Sequence, residues 1–449
     1  MEFQSGTFLT GGDVGFSSGY NLSVSGLYVP AKYMKEEEIR TKKDGGINAN
    51  RVARKILAEH TLIYSAGNFY QYDKGYYKRI EEEQIKGYIK NIIRDDFSKH
   101  RASEVLHSIQ TEVFAEPDSL NDTEYLNLKN GLFDLESEML YDHTPFAYST
   151  IRLPVAFDKN AECKKWIKTV YEIFEGDENK IATLQEFCGL CLTKTTKYEK
   201  ALFMIGDGAN GKSTISYVVE HILGKENRSA IPLERLNSPH YTANLHNKLA
   251  NISIETNTKS EVYDAVFKSV ISGDSLEADP KYKQPFTFRP YCKLIFALNT
   301  MPRVNDRSKA FFRRLLILRF NKSFPDKVAN KNLKYELLEE LDGIFLWCIE
   351  GLRNLHKRGY FHIDKTMLAE IEEYRRENNS LLVFVDEECQ LDPNASIAKQ
   401  DLYDAYKRWC VNNGYRALSR RRFGKELMKQ YRVVTEDRTS YERTWLGIR

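Results

Sequence analysis

The run Gly206-Asp207-Gly208-Ala209-Asn210-Gly211-Lys212-Ser213-Thr214 constrains the fold of this chain more than any other stretch. It has the form G-x-x-x-x-G-K-S. The apolar run Leu202-Phe203-Met204-Ile205 before it predicts a buried strand, and Thr214 to Leu223 after it predicts a helix. Strand, glycine-rich loop and helix in that order make a phosphate cradle. The glycines let backbone N–H groups wrap an anion, and the helix N-terminus adds a favourable dipole. In such a loop Lys212 reaches the β- and γ-phosphates of a nucleotide, and the Ser213 hydroxyl binds Mg²⁺. A chance glycine-rich turn is the competing reading, and the number of matching positions disfavours it. The expected fold class of this part is α/β.

Hydrolysis of a nucleotide asks for an acid near the metal and water, a polar group that senses the γ-phosphate, and often an arginine. Each has a candidate. Leu249 to Ile254 predicts a buried strand ending at Glu255, which can activate water and help hold the metal. Leu294 to Leu298 predicts a second buried strand, ending at Asn299, whose amide can bind water or phosphate. Arg313-Arg314 precedes a third, Leu315 to Leu318, and from its edge an arginine can reach a neighbouring subunit's nucleotide. Taken singly, each has a bland alternative: a strand-end acid, turn chemistry, a structural ion pair. Order and spacing strengthen them together, since Lys212 and Glu255 lie 43 residues apart and Glu255 and Asn299 lie 44 apart.

With these stretches the chain resembles the superfamily 3 helicases of the phage, plasmid and poxvirus primase-helicase type. Asn127-Leu128-Lys129-Asn130-Gly131-Leu132-Phe133-Asp134-Leu135 resembles that family's segment before the ATPase, and Gly206 to Thr214 its phosphate loop. Lys268, Gly273-Asp274 and the segment Glu277 to Phe288 resemble its region between acid and sensor. Asn299-Thr300-Met301-Pro302 resembles its sensor motif, and Arg313-Arg314 its arginine finger. The resemblance implies an AAA+-like (superfamily 3) ATPase core, ATP with Mg²⁺, and Lys268 near a neighbour's nucleotide. It also implies a homo-hexamer that moves three-prime to five-prime on single-stranded DNA and unwinds forked DNA in the replication of a mobile element, plasmid or virus. A separate primase or initiator is an expected partner, and the cytoplasm of a bacterial host the expected location. Two departures stand out. Many relatives place two acids where this chain has Ile254-Glu255, and spacing does not separate Arg313 from Arg314, of which Arg314 is preferred. About 110 residues precede the matched segment, fewer than a full primase-polymerase needs.

Two regions are expected to touch DNA. Asp279-Pro280-Lys281-Tyr282-Lys283-Gln284-Pro285 reads as a β-hairpin tip, with Lys281 and Lys283 for phosphates and Tyr282 for stacking on a base. In the family the corresponding hairpin projects into the ring's channel. The second region is C-terminal: residues 391–449 hold 13 Lys+Arg against 7 Asp+Glu, a basic end on a chain whose net charge is only +3. This module resembles a winged helix. Ser419 predicts a helix cap, and Arg421, Lys425 and Lys429 fall at i, i+4 and i+8 as one basic stripe, with Phe423 and Leu427 facing inward. Val433-Val434 and Trp445-Leu446 read as wing strands around Glu436 to Thr439. A protein-docking helix is the alternative.

The expected division is a flexible arm at 1–45, an α+β domain at 46–160, the ATPase core with its preceding helices at 161–325, a helical extension at 326–390 and the winged helix at 391–449. Phe69 to Tyr77 predicts a β-hairpin turning at Asp73-Lys74-Gly75, and Ile85, Tyr88, Ile89, Ile92, Ile93 and Phe97 recur at helical spacing. Asp95-Asp96 reads as a helix end rather than a primase metal pair. Cys188 and Cys191 lie in an apolar helical pattern and read as core rather than zinc ligands. No run approaches the ~18 apolar residues of a membrane helix, and no signal peptide is expected. Besides a helicase, the same features fit a replication initiator whose ATP switch assembles it on an origin without sustained unwinding; a DNA-packaging motor fits less well, for want of a nuclease carboxylate cluster.

Overall fold

The computed structural model describes residues 39–40, 46–254, 264–281, 284–302, 304, 309–325, 330–438 and 443–449, with the side chains of Asp118, Asp264 and Arg438 left aside. Apart from Ile39 and Arg40, the expected arm at 1–45 lies outside the described residues. The chain divides into two compact units, one of 1–72 and 78–117 and the other of 73–77 and 118–449.

The first unit is built on α1 (Ala49–Glu59), β1 (Leu62–Ser65), β2 (Asn68–Asp73), β3 (Tyr76–Ile80), α2 (Glu82–Ile93) and α3 (Lys99–Glu112), except that 73–77, the β2–β3 turn and its flanks, divide with the second unit. Asn48 and Ser98 cap α1 and α3, accepting the N–H groups of Arg51 and Arg101. The three strands form one sheet in sequence order. The expected hairpin turn is made by Lys74 (φ 51°) and Gly75 (φ 93°). Ile85, Ile89 and Ile93 face a core with Val52, Ile56, Val105 and Ile109. The helix stops at Ile93 rather than reaching Phe97 because Arg94 takes φ 46°. Asp96 pairs with Arg40 at 2.6 Å and Arg101 at 3.0 Å, so it is engaged at a helix end.

The second unit opens with the antiparallel sheet β4 (Tyr125–Leu128), β5 (Gly131–Asp134) and β6 (Leu140–Tyr141). Helices α4 (Lys164–Ile173) and α5 (Glu178–Leu190) lead to the core: β7 (Ala201–Ile205), α6 (Lys212–Leu223), β8 (Arg228–Ser229), α7 (Pro239–Thr242), β9 (Ala250–Ile254), α8 (Asp264–Ser272), β10 (Leu276–Ala278), β11 (Phe286–Phe288), β12 (Lys293–Leu298), α9 (Lys309–Phe312) and β13 (Leu315–Arg319). Five of these strands form a parallel sheet in the order β13-β7-β12-β9-β8. Strand residues alternate between two cores. Leu202, Met204, Ile295 and Leu316 face the side holding α4, α5 and α6, and Phe203, Phe296 and Ile317 face Phe267 of α8 and Phe311 of α9. A sheet covered on both faces needs nearly continuous apolar strands, and these read that way. Cys188 and Cys191 are buried in the first of these cores.

Next come α10 (Leu333–Glu336), α11 (Leu341–Arg358), α12 (Lys365–Glu377) and α13 (Ser380–Glu388), then β14 (Leu391–Ala398), α14 (Lys399–Asn412), α15 (Arg420–Gln430), β15 (Thr435–Arg438) and β16 (Arg443–Ile448). Of these last five, α14, α15 and β16 share a core with Leu381, Phe384 and Val385 of α13, and Ile397 of β14 packs against it. Leu391-Asp392-Pro393-Asn394, whose proline between Asp and Asn is turn chemistry by sequence, lies instead within β14. The β14–β16 register breaks between Leu391 and Ser396, and such an irregularity accommodates a proline that donates no ladder bond. The β15–β16 hairpin also begins later than expected: Val433-Val434 precede β15, and Glu436 and Asp437 are strand residues paired with Trp445 and Thr444. No described helix is long and apolar enough to cross a membrane.

Candidate functional site

β7 delivers the chain to Gly206 at the carboxyl edge of the parallel sheet, the edge where open α/β sheets bind ligands. The Gly206 N–H donates to Leu298 O at 3.1 Å, so the loop starts beside the end of β12. It then turns through Gly208 (φ 108°), Ala209 (φ 47°) and Gly211 (φ 91°). A side chain at Gly206 would place its Cβ 2.2 Å from Asn210 Nδ2 and 2.6 Å from Phe320 O, and one at Gly211 would meet Ile173 Cδ1 at 2.5 Å. The helix after the loop starts at Lys212, two residues earlier than its apolar pattern indicated. Gly211 is its N-cap and supplies no side-chain cap, so nothing from the cap competes for the first N–H groups.

Asp207, Gly208, Ala209 and Ser213 are exposed and Thr214 half-buried, while Asn210 and Lys212 are buried. Lys212 Nζ donates to Gly206 O and to Asn210 Oδ1, the latter at 3.0 Å. Burial draws its pKa below the ordinary lysine value, partly offset by the Asp207 carboxylate. The loop is also held from outside. Asn210 Nδ2 donates to Phe320 O at 3.3 Å, and the Phe324 N–H donates to Ala209 O at 2.7 Å. The segment after β13 therefore clasps the loop through backbone groups.

Asn299 is exposed directly after β12 and beside Gly206. In β9, Ile254 pairs with Ala297 of β12, which brings the end of that strand to the same edge. Glu255, the next residue, lies outside the described residues. The arginines sit elsewhere. The Ala201 N–H donates to Arg314 O at 2.8 Å, which places the pair at the amino edge of the sheet. Arg314 is buried and bonds Glu199 at 2.9 Å, Ala310 O at 2.7 Å and Ser272 Oγ at 2.9 Å. The Arg313 side chain is 65 % exposed and approaches Glu199 at 3.4 Å. Within one chain the fold thus unites the loop, Asn299 and the end of β9, and holds Arg313 and Arg314 apart from them.

The strands flanking the expected hairpin tip at 279–285 are β10 and β11, paired from Leu276↔Phe288 to Ala278↔Phe286. Its base is fixed by α7: Asp279 N–H donates to Pro239 O at 3.2 Å, and His240 Nδ1 bonds Asp279 O. Lys281 is exposed at the tip; Tyr282 and Lys283 lie outside the described residues. Lys268 is half-buried on α8. On α15, Arg421, Lys425 and Lys429 are exposed along one face, and Phe423 and Leu427 are buried on the other. Ser419 occupies the N-cap position but makes no side-chain cap bond; its carbonyl accepts the Phe423 N–H at 2.8 Å.

Three family models match the chain: a D5 N terminal like family over residues 33–175, a family of unknown function (DUF5906) over 204–314, and a Poxvirus D5 protein-like family over 376–443. Among curated proteins, it is 24% identical to "Putative helicase L207/L206" of Acanthamoeba polyphaga mimivirus over 325 residues, 66% of this chain and 34% of that protein. It is also 24% identical to "Putative helicase 022R" of Frog virus 3 (isolate Goorha) over 246 residues, 49% of this chain and 25% of that protein. The chain is similar to putative helicases of viruses and, over its two ends, to the D5 N terminal like and Poxvirus D5 protein-like families. It spans a quarter to a third of the length of these two viral relatives. Solved structures of the NrS-1 C-terminal region share its fold, with TM-scores of 0.52 and 0.51 at 12% identity, covering 89% and 91% of this chain and 99% and 100% of theirs. The stretches that carry the resemblance fall inside the matched regions: Asn127 to Leu135 in the first, Gly206 to Arg314 in the second, and the basic face of α15 in the third.

Sequence reading missed the clasp on the loop. Phe320 O, Phe324 N and Ala209 O act through the backbone, which leaves no side-chain signature. Glu199 and Ser272, which fix Arg314, are likewise ordinary residues until the fold brings them together.

Proposed function

We propose that the chain is an ATP-driven DNA helicase, with the loop at Gly206–Thr214 as its nucleotide site. The observation that carries the reading is the meeting of the loop, Asn299 and the end of β9 at the carboxyl edge of one parallel sheet. The residues fit MgATP: positive-φ turns, a first helical turn without a side-chain cap and a buried lysine held by Gly206 O and Asn210 Oδ1. Lys212, the N–H groups of the loop and the start of α6 would hold the phosphates; Ser213, with Glu255, would hold the metal. The bound metal would supply charge neutralisation on the phosphates and orientation of the attacked group. Asn299 would orient water beside Gly206. Lys212, held by Gly206 O and Asn210, exchanges these partners for phosphate oxygens.

Arg313 and Arg314 lie at the opposite edge, and an arginine there acts only on a neighbouring subunit. This supports assembly as a ring, a hexamer by family resemblance. Exposure favours Arg313 over Arg314 for that reach, against the preference drawn from sequence. Lys281 to Lys283 on the hairpin and the face of Arg421, Lys425 and Lys429 are the proposed DNA contacts, the latter on a winged-helix module. The polarity, three-prime to five-prime, and the partner primase or initiator follow from resemblance alone. The decisive experiment measures ATP hydrolysis and strand displacement on forked DNA. Hydrolysis without displacement, together with a footprint on duplex DNA, would turn the reading toward an origin-bound initiator, which the basic face of α15 also suits.

A further inference from the structure

Arg313 and Arg314 share one acid. The Nη2 atoms of both guanidinium groups meet the same oxygen, Glu199 Oε2, Arg314 at 2.9 Å and Arg313 at 3.4 Å. The two pairs differ in kind. Arg314 is buried and bonds Ala310 O and Ser272 Oγ as well, so its departure would strand a charge in the interior. The Arg313 side chain lies mostly in solvent, and among the described residues its guanidinium bonds Glu199 alone. An exposed pair of this kind is held weakly.

Glu199 reaches this place under strain. It takes φ 47°, in the left-handed region where glycine sits freely and a side chain does not. Its N–H donates to Thr196 O at 3.0 Å, closing the turn ahead of β7. The next residue completes the grip, because Lys200 Nζ donates to Arg313 O. Burial, then the charge of Arg313, draws the Lys200 pKa down to about 8. The Arg313 N–H donates to Lys309 O at 3.0 Å. The Arg313 backbone is thus pinned through both its polar groups, and any movement is left to its side chain.

The shared oxygen makes that movement easy. When Arg313 leaves, Oε2 keeps Arg314, and no carboxylate is left unpaired. We propose that Glu199 is a positioning residue for Arg313: it parks the guanidinium at the subunit surface and yields it to the phosphates of a nucleotide bound by a second copy of this chain. Arg314 is the anchor that keeps the carboxylate in place in both states. The inference rests on the reading of Arg313 as a group that acts between subunits. Phosphate oxygens and Glu199 compete for one guanidinium, so the acid restrains the reaction by the strength of the exposed pair. That strength corresponds to a factor of at most about five.

The test compares the full chain with Glu199→Gln in steady-state ATP hydrolysis, over ATP concentrations that separate kcat from KM. Glutamine keeps an acceptor for Arg314 and removes the charge that holds Arg313. The expected result is a rise of about two- to fivefold in kcat/KM, where a merely structural role gives a fall or no change. The rise should vanish in the Arg313→Ala background. If Glu199→Gln does not fold, Glu199→Asp takes its place: it retains a carboxylate for Arg314, shortens the reach to Arg313 by one methylene, and should give a rise in the same direction. An unchanged or lowered kcat/KM, or an equal rise in the Arg313→Ala background, overturns the proposal and leaves the inter-subunit reading standing. Undiminished hydrolysis by Arg313→Ala alone overturns that reading and the proposal with it.

Discussion

Lys212 Nζ lies 3.0 Å from Asn210 Oδ1, and the same carboxamide reaches across to Phe320 O at 3.3 Å. One buried side chain thus fixes the lysine of the phosphate loop and ties it to the strand next door. Replacing Asn210 with leucine keeps the volume and removes both bonds. The expected result is a loss of ~1–3 kcal/mol in stability, because the Phe320 carbonyl loses its donor, and nucleotide binding weakened about tenfold. Thermal unfolding with and without a non-hydrolysable ATP analogue measures both; an unchanged ligand-induced shift would refute the role.

Gly206→Ala and Gly211→Ala test the cradle in different ways. At Gly206 the new methyl meets a backbone oxygen at 2.6 Å, which cannot rotate away. At Gly211 it meets the flexible tip of Ile173, but on a residue with φ 91°. Each should cost ~1–3 kcal/mol, and ATP turnover should vanish in both. Full phosphate release from a folded Gly206→Ala protein would contradict the loop geometry.

The two arginines should part company on substitution. Arg314→Ala removes three polar contacts of a buried guanidinium and should cost roughly 2–3 kcal/mol, moderated because Glu199 is partly exposed and can turn to solvent. Arg313→Ala should leave the melting temperature unchanged and lower hydrolysis by about 10³-fold. Mixing Arg313→Ala chains with Lys212→Ala chains should restore part of the activity, because each kind supplies what the other lacks. No restoration would count against a site shared between subunits.

Lys293 provides a pH signature for the core. It is buried at the start of β12, donates to Thr193 O and to Tyr291 O, and burial lowers its pKa to about 8 from 10.5. Between these values the unfolded chain binds a proton there that the folded chain does not, so this residue makes stability rise with pH from about 8 to 10.5. Comparing Lys293→Met with the parent across that window isolates the effect from other lysines. The parent's rise should be the steeper, and parallel curves would show that Lys293 is not neutralised on folding.

Substituting Arg421, Lys425 and Lys429 together by alanine should weaken DNA binding at every sequence and reduce the slope of log affinity against log salt by roughly 2–3. The three side chains are exposed, so the melting temperature should hold. An unaltered salt slope would assign α15 to protein docking.

The parallel core was legible because burial on both faces forces continuous apolar strands, and Leu202–Ile205, Leu294–Leu298 and Leu315–Leu318 could scarcely be anything else. The strand–loop–helix order around Gly206 to Thr214 was legible from the glycines and the apolar runs that flank them. Pro393 misled, since a proline signals a turn unless a register break admits it to a strand, and that depends on β16, more than fifty residues away. Val433-Val434 misled because their apolar character marks burial of Val434, not strand pairing. The sharing of Glu199 left no trace at all: Glu199 stands ahead of β7, Arg313 and Arg314 stand ahead of β13, and only the fold brings them together.

β13 begins next to Arg314 and ends next to Phe320. It is five residues long, about 16 Å at the usual strand rise, and four of those residues are fully enclosed. A packed strand transmits displacement instead of absorbing it. A shift felt at the amino edge, where a neighbouring subunit would press on Arg313, therefore arrives at the clasp on the phosphate loop with little loss. In the proposed ring each such strand would act as a push-rod between adjoining subunits, and movement at one would be felt at the nucleotide loop of the next.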